Sequence, residues 1–356
     1  VTGSAVYAYI ITPTALHTVT LPVTYAELSA AVREFYDFAS LDSAPPPSLT
    51  RLYDWLIGPL RPHLKTPLVG VIPHSVLHYV PFAALNDGRR YLGEIYTLYV
   101  LPNASALPFI EAKEKKGQGP MLAMANGRPV GLPALRHAEA EASAVAAMYG
   151  QKPLLGADAT RAAFLQQATQ ARIIHLAAHG QLSTADPLLS RLVLAPDGES
   201  DGSLTVSDVY GIDLQQADLV VLSACQTQVG AHSAGDDIVG LTRAFIYAGA
   251  PSVISSLWSV DDAATGVLMT SFYRHLRQGM SKAEALRAAQ SDTRARYPHP
   301  YYWAGFVLTG HPGEAQAPLG VPLPAIAITG LGVLALLGLA AVRRARCSPP
   351  PTRTGG

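Results

Sequence analysis

The sequence predicts an α/β protein whose mostly parallel sheet is flanked by helices on both faces. Three observations predict it. The runs Ile173-Ile174-His175-Leu176-Ala177 and Leu219-Val220-Val221-Leu222 are short, rich in Val, Ile and Leu, and end abruptly in small or polar residues. Buried parallel strands read this way. Such runs alternate with helical stretches after residue 120, as crossover connections require. The chain of 356 residues is only 15% charged, which leaves ample apolar surface for a large core.

The elements follow in order. Residues 6–11 and 16–23, split by Thr12-Pro13-Thr14, read as a hairpin. Residues 25–39 have helical spacing, with Leu28, Val32, Phe35 and Tyr36 on one face. A Pro-rich loop (43–48) precedes a helix over 49–60 that Pro62 ends. Residues 68–72 and 96–101 are short strands closed by Pro73 and Pro102. The stretch 113–120 is charged and then Gly-rich, the best internal boundary. Beyond it come a strand at 121–125 and a helix over 135–148, with Gly150 as its stop. Thr160 caps a helix to about Gln170. The strand 173–177 follows, then a hairpin of 192–194 and 204–206 around Pro196-Asp197-Gly198. After strand 219–222, helix 238–248, strand 253–257 and helix 263–276, the capping box Ser281-Lys282-Ala283-Glu284 opens another helix.

The balance of 26 basic and 26 acidic residues, with no basic run in the globular part, excludes a nucleic-acid surface as an expectation. Two cysteines, Cys225 and Cys347, make neither a disulfide framework nor a CxxC metal pair. No GxGxxG follows a strand and no Walker loop is present, so no cofactor is expected. The chain begins at Val1 without a visible signal peptide and reads as a fragment of a longer precursor.

The tail stands apart. Residues 325–342 are 18 residues without a charge, followed by Arg343-Arg344-Ala345-Arg346. That length spans a bilayer, and the arginines on the cytoplasmic side place the globular part outside, in the periplasm or the extracellular space.

The chemistry lies at two strand ends. His179 follows the strand 173–177 and Cys225 follows the strand 219–222. Ligands of open α/β sheets bind outside the carboxyl ends of the strands. A thiol needs a base to become a nucleophile, and an imidazole has the right range for that work. The N–H of Gly180 is placed to help stabilise an oxyanion. A lone buried cysteine is otherwise inert packing. His175 reads as a hydrogen-bonded core histidine. His74 and His78 are four apart but lack a third ligand. His232 is close enough to Cys225 in sequence to line the site.

The segments His175 to Gly180, Ser223-Ala224-Cys225-Gln226-Thr227, 235–262 and Tyr301-Tyr302-Trp303-Ala304-Gly305-Phe306-Val307-Leu308-Thr309-Gly310 resemble the CHAT peptidases, relatives of caspases and separases. Residues 68–72, with Pro81-Phe82-Ala83-Ala84-Leu85, resemble the half that precedes the catalytic half in that family. The resemblance covers nearly all of 5–312. It implies a caspase-like fold with a pseudo-peptidase half (1–116) and a catalytic half (117–312). It also implies a dyad for peptide hydrolysis, His179 as base and Cys225 as nucleophile, with a protein or peptide as substrate. Family members often carry tetratricopeptide repeats before this domain; none is visible here. Ser256-Leu257-Trp258-Ser259-Val260-Asp261-Asp262 resembles the separase segment that lines the pocket for a basic residue. Asp262, with Asp236, is therefore expected to receive Arg or Lys before the scissile bond. The competing reading is that Asp261 and Asp262 simply open a helix.

A Pro/Gly-rich linker (313–324) joins this domain to the apolar span (325–342) and the basic tail (343–356). Val321-Pro322-Leu323-Pro324-Ala325, the span and the arginines together resemble the VPLPA-type sorting signals of Gram-negative bacteria, which a transpeptidase of the exosortase class is thought to process. The ten residues after the arginines (347–356) depart from that pattern and keep a single-pass anchor open. The sequence is thus read as a membrane-tethered cysteine endopeptidase, or alternatively as a catalytically silent CHAT-type interaction module on the membrane.

Overall fold

The apolar runs of the sequence become strands and the stretches between them helices. The computed structural model describes residues 5–36, 45–113, 119–183, 185–223 and 237–315. The N-terminal segment forms β1 (Val6–Ile11), β2 (Leu16–Leu21), α1 (Tyr25–Phe35), α2 (Ser48–Leu56), β3 (Leu68–Val71), α3 (Leu92–Ile95), β4 (Thr97–Val100) and α4 (Leu107–Lys113). There follow β5 (Met121–Ala125), α5 (Ala138–Met148), β6 (Leu154–Leu155), α6 (Arg161–Gln167), β7 (Ile173–Ala177), β8 (His179–Gln181), β9 (Arg191–Val193), β10 (Ser203–Thr205) and α7 (Val206–Tyr210). The last group is β11 (Leu219–Leu222), α8 (Asp237–Ala248), β12 (Ser252–Ser256), α9 (Asp262–Arg277), α10 (Lys282–Arg296) and β13 (Phe306–Gly310).

Eight strands join one sheet in the order β3-β4-β13-β12-β11-β7-β5-β6. Neighbours run parallel except β12 and β13. That reversal has a simple cause. Single crossover helices return the chain to run parallel. Two helices, α9 and α10, stand between β12 and β13, so the chain re-enters the sheet in the opposite sense. The consequence is that β3, β4 and β13 oppose the other five strands. The carboxyl ends of β7 and β11 therefore lie at the sheet edge away from those of β3 and β4.

Alternation buries both faces of the central strands. Ile173, Ala177, Leu219, Val221 and Ile254 pack with α1, α5, α9 and α10. Ile174, Leu176, Val220, Leu222 and Val253 pack with α6, α7 and α8. The expected caps are present. Thr160 Oγ1 accepts from Ala163 N, and Ser281 and Glu284 close a reciprocal capping box. Gly150, with φ of +66°, turns the chain after α5.

Several expectations need correction. The helix expected over 49–60 stops at Leu56, and Gly58–His63 continues as a 3₁₀ turn because Pro59 and Pro62 lack the amide an α-helix needs. The helix expected from 135 starts at Ala138, since Leu135 N bonds Gly127 O instead. His179 and Gly180, expected beyond the end of a strand, are themselves in one. They open β8, which pairs antiparallel with β9, and β9 with β10, in a separate three-stranded sheet. Strands β6 and β13 have no counterpart among the expected elements. The boundary at 116/117 falls outside the described residues, and strands from both sides of it share the large sheet through β4 and β13. Among the described residues no helix is long and apolar enough to cross a membrane. The span 325–342, the Arg343-Arg344-Ala345-Arg346 cluster and Cys347 lie outside them.

At the amino ends of the central strands a buried ionic cluster closes the sheet. Lys282 Nζ donates to Asp218 Oδ1 (2.6 Å), Asp218 O (3.0 Å) and Ser252 Oγ (2.9 Å). Arg172 reaches the other carboxylate oxygen at 3.2 Å.

Candidate active site

β7 and β11 are parallel neighbours, in register from Ile173↔Leu219 to Leu222↔Leu176. Their carboxyl ends therefore lie side by side at one edge of the sheet. Of the two residues expected to carry the chemistry, His179 is described. Cys225, three positions past the end of β11, lies outside the described residues, as do Asp236 and His232.

His179 is only 1% exposed. Its main chain is held by pairing with Val193 of β9, with Gly180 opposite Leu192. Its ring is held by a different element. Nε2 lies 2.7 Å from the carbonyl oxygen of Pro133. A carbonyl can only accept, so Nε2 carries the proton, and in the neutral ring Nδ1 is the basic nitrogen. The sequence reading did not include Pro133. It belongs to the loop between β5 and α5, which Leu135 N closes onto Gly127 O at 2.9 Å. The loop is anchored where it leaves the sheet. Asn126 N donates to Ala177 O (3.1 Å), and Asn126 Nδ2 to Val193 O (3.3 Å).

The two acids at the start of α9 have separate tasks. Asp261 is the N-cap, its Oδ1 accepting from Ala264 N at 2.8 Å. Asp262 reaches out of the helix, and its Oδ2 accepts from His137 N at 2.7 Å. His137 stands four residues after Pro133. One short segment thus touches both the His179 ring and the Asp262 carboxylate.

The segment before α9 is fixed from behind. Trp258 is completely buried and donates its Nε1–H to Tyr301 O (3.0 Å), while Tyr301 Oη donates to Ser259 O (2.8 Å). Leu257 N bonds Gly305 O at 2.8 Å. A side chain at 305 would have its Cβ 2.7 Å from Val260 Cγ1, so glycine is required by the close approach. Phe35 of α1 meets the Trp258 ring edge-on at 5.3 Å, which brings the N-terminal segment into the support of this wall. Tyr301 is therefore a packing residue of this segment, and Trp303 is buried against Tyr91.

Other expected residues take structural roles. His175 is fully buried between Glu141 and Tyr273. His74 caps a 3₁₀ turn from the extended region, and among the described residues no group of three His, Cys, Asp or Glu is arranged for a metal.

The architecture defines a class, an α/β protein with a mostly parallel sheet that places a buried histidine just beyond the carboxyl end of a central strand. The family model for the CHAT domain matches residues 46–311, and the chain belongs to that family. It is similar to tetratricopeptide repeat protein 28 of Mus musculus, 31% identical over 344 residues, and of Homo sapiens, 29% identical over 339 residues. Those alignments cover 78% and 76% of this chain but only 14% and 13% of the relatives' own length. Among solved structures it is similar to separase in the Saccharomyces cerevisiae separase–securin complex (TM-score 0.46, 13% identity, 67% of this chain and 15% of that one). It is also similar to RgpB of Porphyromonas gingivalis in the complex of its pro- and mature domains (TM-score 0.47, 13% identity, 83% of this chain and 70% of that one).

Proposed function

We propose that this CHAT-domain protein is a cysteine endopeptidase. The observation that carries the reading is the His179 ring fixed by Pro133 O, at the end of the strand that neighbours the one leading to Cys225. With Nε2 holding a proton for the carbonyl, Nδ1 takes the proton of the Cys225 thiol. The thiolate attacks the scissile carbonyl, and the Gly180 N–H stabilises the oxyanion that forms. Protonated His179 returns its proton to the departing amine, which leaves a thioester. Water activated by the same ring attacks the thioester, releases the acid and restores the thiol. Asp262, with Asp236, receives Arg or Lys before the scissile bond. Its Oδ2 is tied to a main-chain amide, an uncharged partner, so the full carboxylate charge faces a guanidinium or ammonium.

The test is a fluorogenic peptide library cleaved by the wild type, Cys225→Ala and His179→Gln. The expected outcome is cleavage after Arg or Lys that Cys225→Ala abolishes and His179→Gln lowers by roughly 10²–10⁴-fold. Cleavage that survives in Cys225→Ala rejects the nucleophile. A wild type that cleaves nothing favours the interaction module.

We further propose that residues 325–342 hold the protein in a membrane with the CHAT domain outside the cytoplasm, on the strength of the charge-free span and the arginines that follow it. The chain should then stay in the membrane pellet after carbonate extraction and its domain be digested by protease added to intact spheroplasts. Release by carbonate removes the anchor from the reading.

A further inference from the structure

Upstream of His179, β7 carries a second histidine. Alternate strand positions share a face, so His175 and Ala177 lie on the same side of β7, that of α5 and α9. His175 is fully buried and stands four residues before His179, which opens β8. Its Nε2 lies 3.0 Å from Glu141 Oε1 of α5, and its Nδ1 lies 3.3 Å from Tyr273 Oη of α9. Glu141 is 4% exposed and Tyr273 0%. Nε2 and Oε1 face each other without the alignment of a hydrogen bond, and neither has another hydrogen-bond partner among the described residues.

The three groups come from the three elements that build the site. β7 leads to His179. α5 follows the loop of Pro133 and His137. α9 starts at Asp262. What else joins α5 to β7 is smooth. Apart from Glu141, the buried face of α5 is Ala138, Ala142, Val145 and Ala146, and β7 adds Ala177 and, at its start, Ile173. Small side chains make shallow ridges that pack equally well after a small slide. A buried polar cluster has a preferred register, because a shift breaks the Nδ1–Tyr273 Oη bond and moves the Glu141 carboxylate away from the imidazole 3.0 Å from it, with no water to compensate.

We propose that His175 is a positioning residue for His179. Through Glu141 and Tyr273 it sets the register of β7 against α5 and α9, and so holds Pro133 O where it captures the Nε2 proton. The inference rests on the reading of His179 as the base, but its test needs no substrate. In protein labelled with ¹⁵N-histidine, the wild-type His179 ring should show a single tautomer protonated on Nε2, with slow exchange of that proton. Glu141→Leu combined with His175→Leu and Tyr273→Phe removes all three polar groups and strands none of them. It should exchange the Nε2 proton about tenfold faster and populate both tautomers, the loss expected from a buried hydrogen bond. Glu141→Gln keeps an acceptor toward His175 and should restore the wild-type spectrum. A folded triple variant with an unchanged His179 spectrum overturns the proposal. If the triple variant does not fold, Tyr273→Phe alone decides. It removes one oxygen and no packing, and should speed exchange about threefold. Unchanged exchange there also overturns the proposal. Loss of peptidase activity in a protein whose His179 spectrum is intact bears on the peptidase reading alone.

Discussion

The strands β7, β11 and β12 carry polar groups at both ends, and the two ends are built differently. At the amino ends Lys282, Asp218, Arg172 and Ser252 bind one another mainly side chain to side chain, with the Asp218 carbonyl as one further acceptor for Lys282. At the carboxyl ends the partners are main chain: Pro133 O for the His179 ring, and His137 N for the Asp262 carboxylate. The difference has a chemical meaning. Ion pairs neutralise their members and use up their donors, which stabilises a fold and leaves nothing reactive. A carbonyl or an amide is uncharged. It can orient a ring or a carboxylate and leave the second nitrogen basic, or the charge intact. If the proposed function holds, the contrast between these two ends is between holding the molecule together and preparing it to react.

The largest expected effect falls at the amino end. Lys282→Met leaves Asp218, a buried carboxylate, with Arg172 as its remaining charged partner. Breaking a buried pair in this way costs about 3–5 kcal/mol, and Tm should fall by on the order of 10 °C. Cleavage per folded molecule should stay as in the wild type, measured below the lowered Tm. A Lys282→Met protein of normal Tm would show that the cluster contributes no net stability. One of normal Tm but altered kcat/KM would erase the division of labour between the two ends.

How much of this was legible in the sequence divides along the same line. The strands that deliver the site were legible because their apolar runs are unbroken and end sharply, as in Leu219-Val220-Val221-Leu222-Ser223. The caps at Thr160 and Ser281 were legible because side chains make them. His179 was visible as a residue type after a strand. Its anchor was not, since Pro133 acts through a carbonyl that every residue possesses. Only the Gly/Pro-rich stretch 127–133, at the end of a strand beside β7, signalled a loop at that edge. β8 was missed because His179-Gly180-Gln181 has no apolar alternation and exists through pairing with β9. The reversal of β13 depends on two helices intervening after β12, which is a matter of counting elements rather than of any local pattern.

The smaller effect, and the sharper one for the comparison, belongs to Asp262. It binds the His137 amide through Oδ2, and in the proposed function it also offers negative charge to a basic residue of the substrate. Two substitutions separate these roles. Asp262→Asn keeps a side-chain carbonyl able to accept from His137 N, but removes the charge. Its Tm should match the wild type, while kcat/KM for substrates with Arg before the scissile bond falls about tenfold, the value of roughly one charge-assisted bond. Asp262→Ala removes both roles. It should lose that specificity and also about 1 kcal/mol of stability, the usual cost of losing a carboxylate that satisfies an amide at a helix start. Both are measurable on one preparation, by steady-state kinetics with paired Arg and Gln peptides and by thermal unfolding. If Asp262→Asn keeps full preference for Arg, the carboxylate is a structural tie like those at the amino end, and the basic pocket must be sought elsewhere. If Asp262→Asn loses preference and Asp262→Ala loses stability as well, one carboxylate serves both as a main-chain tie and as the group that selects a basic substrate residue.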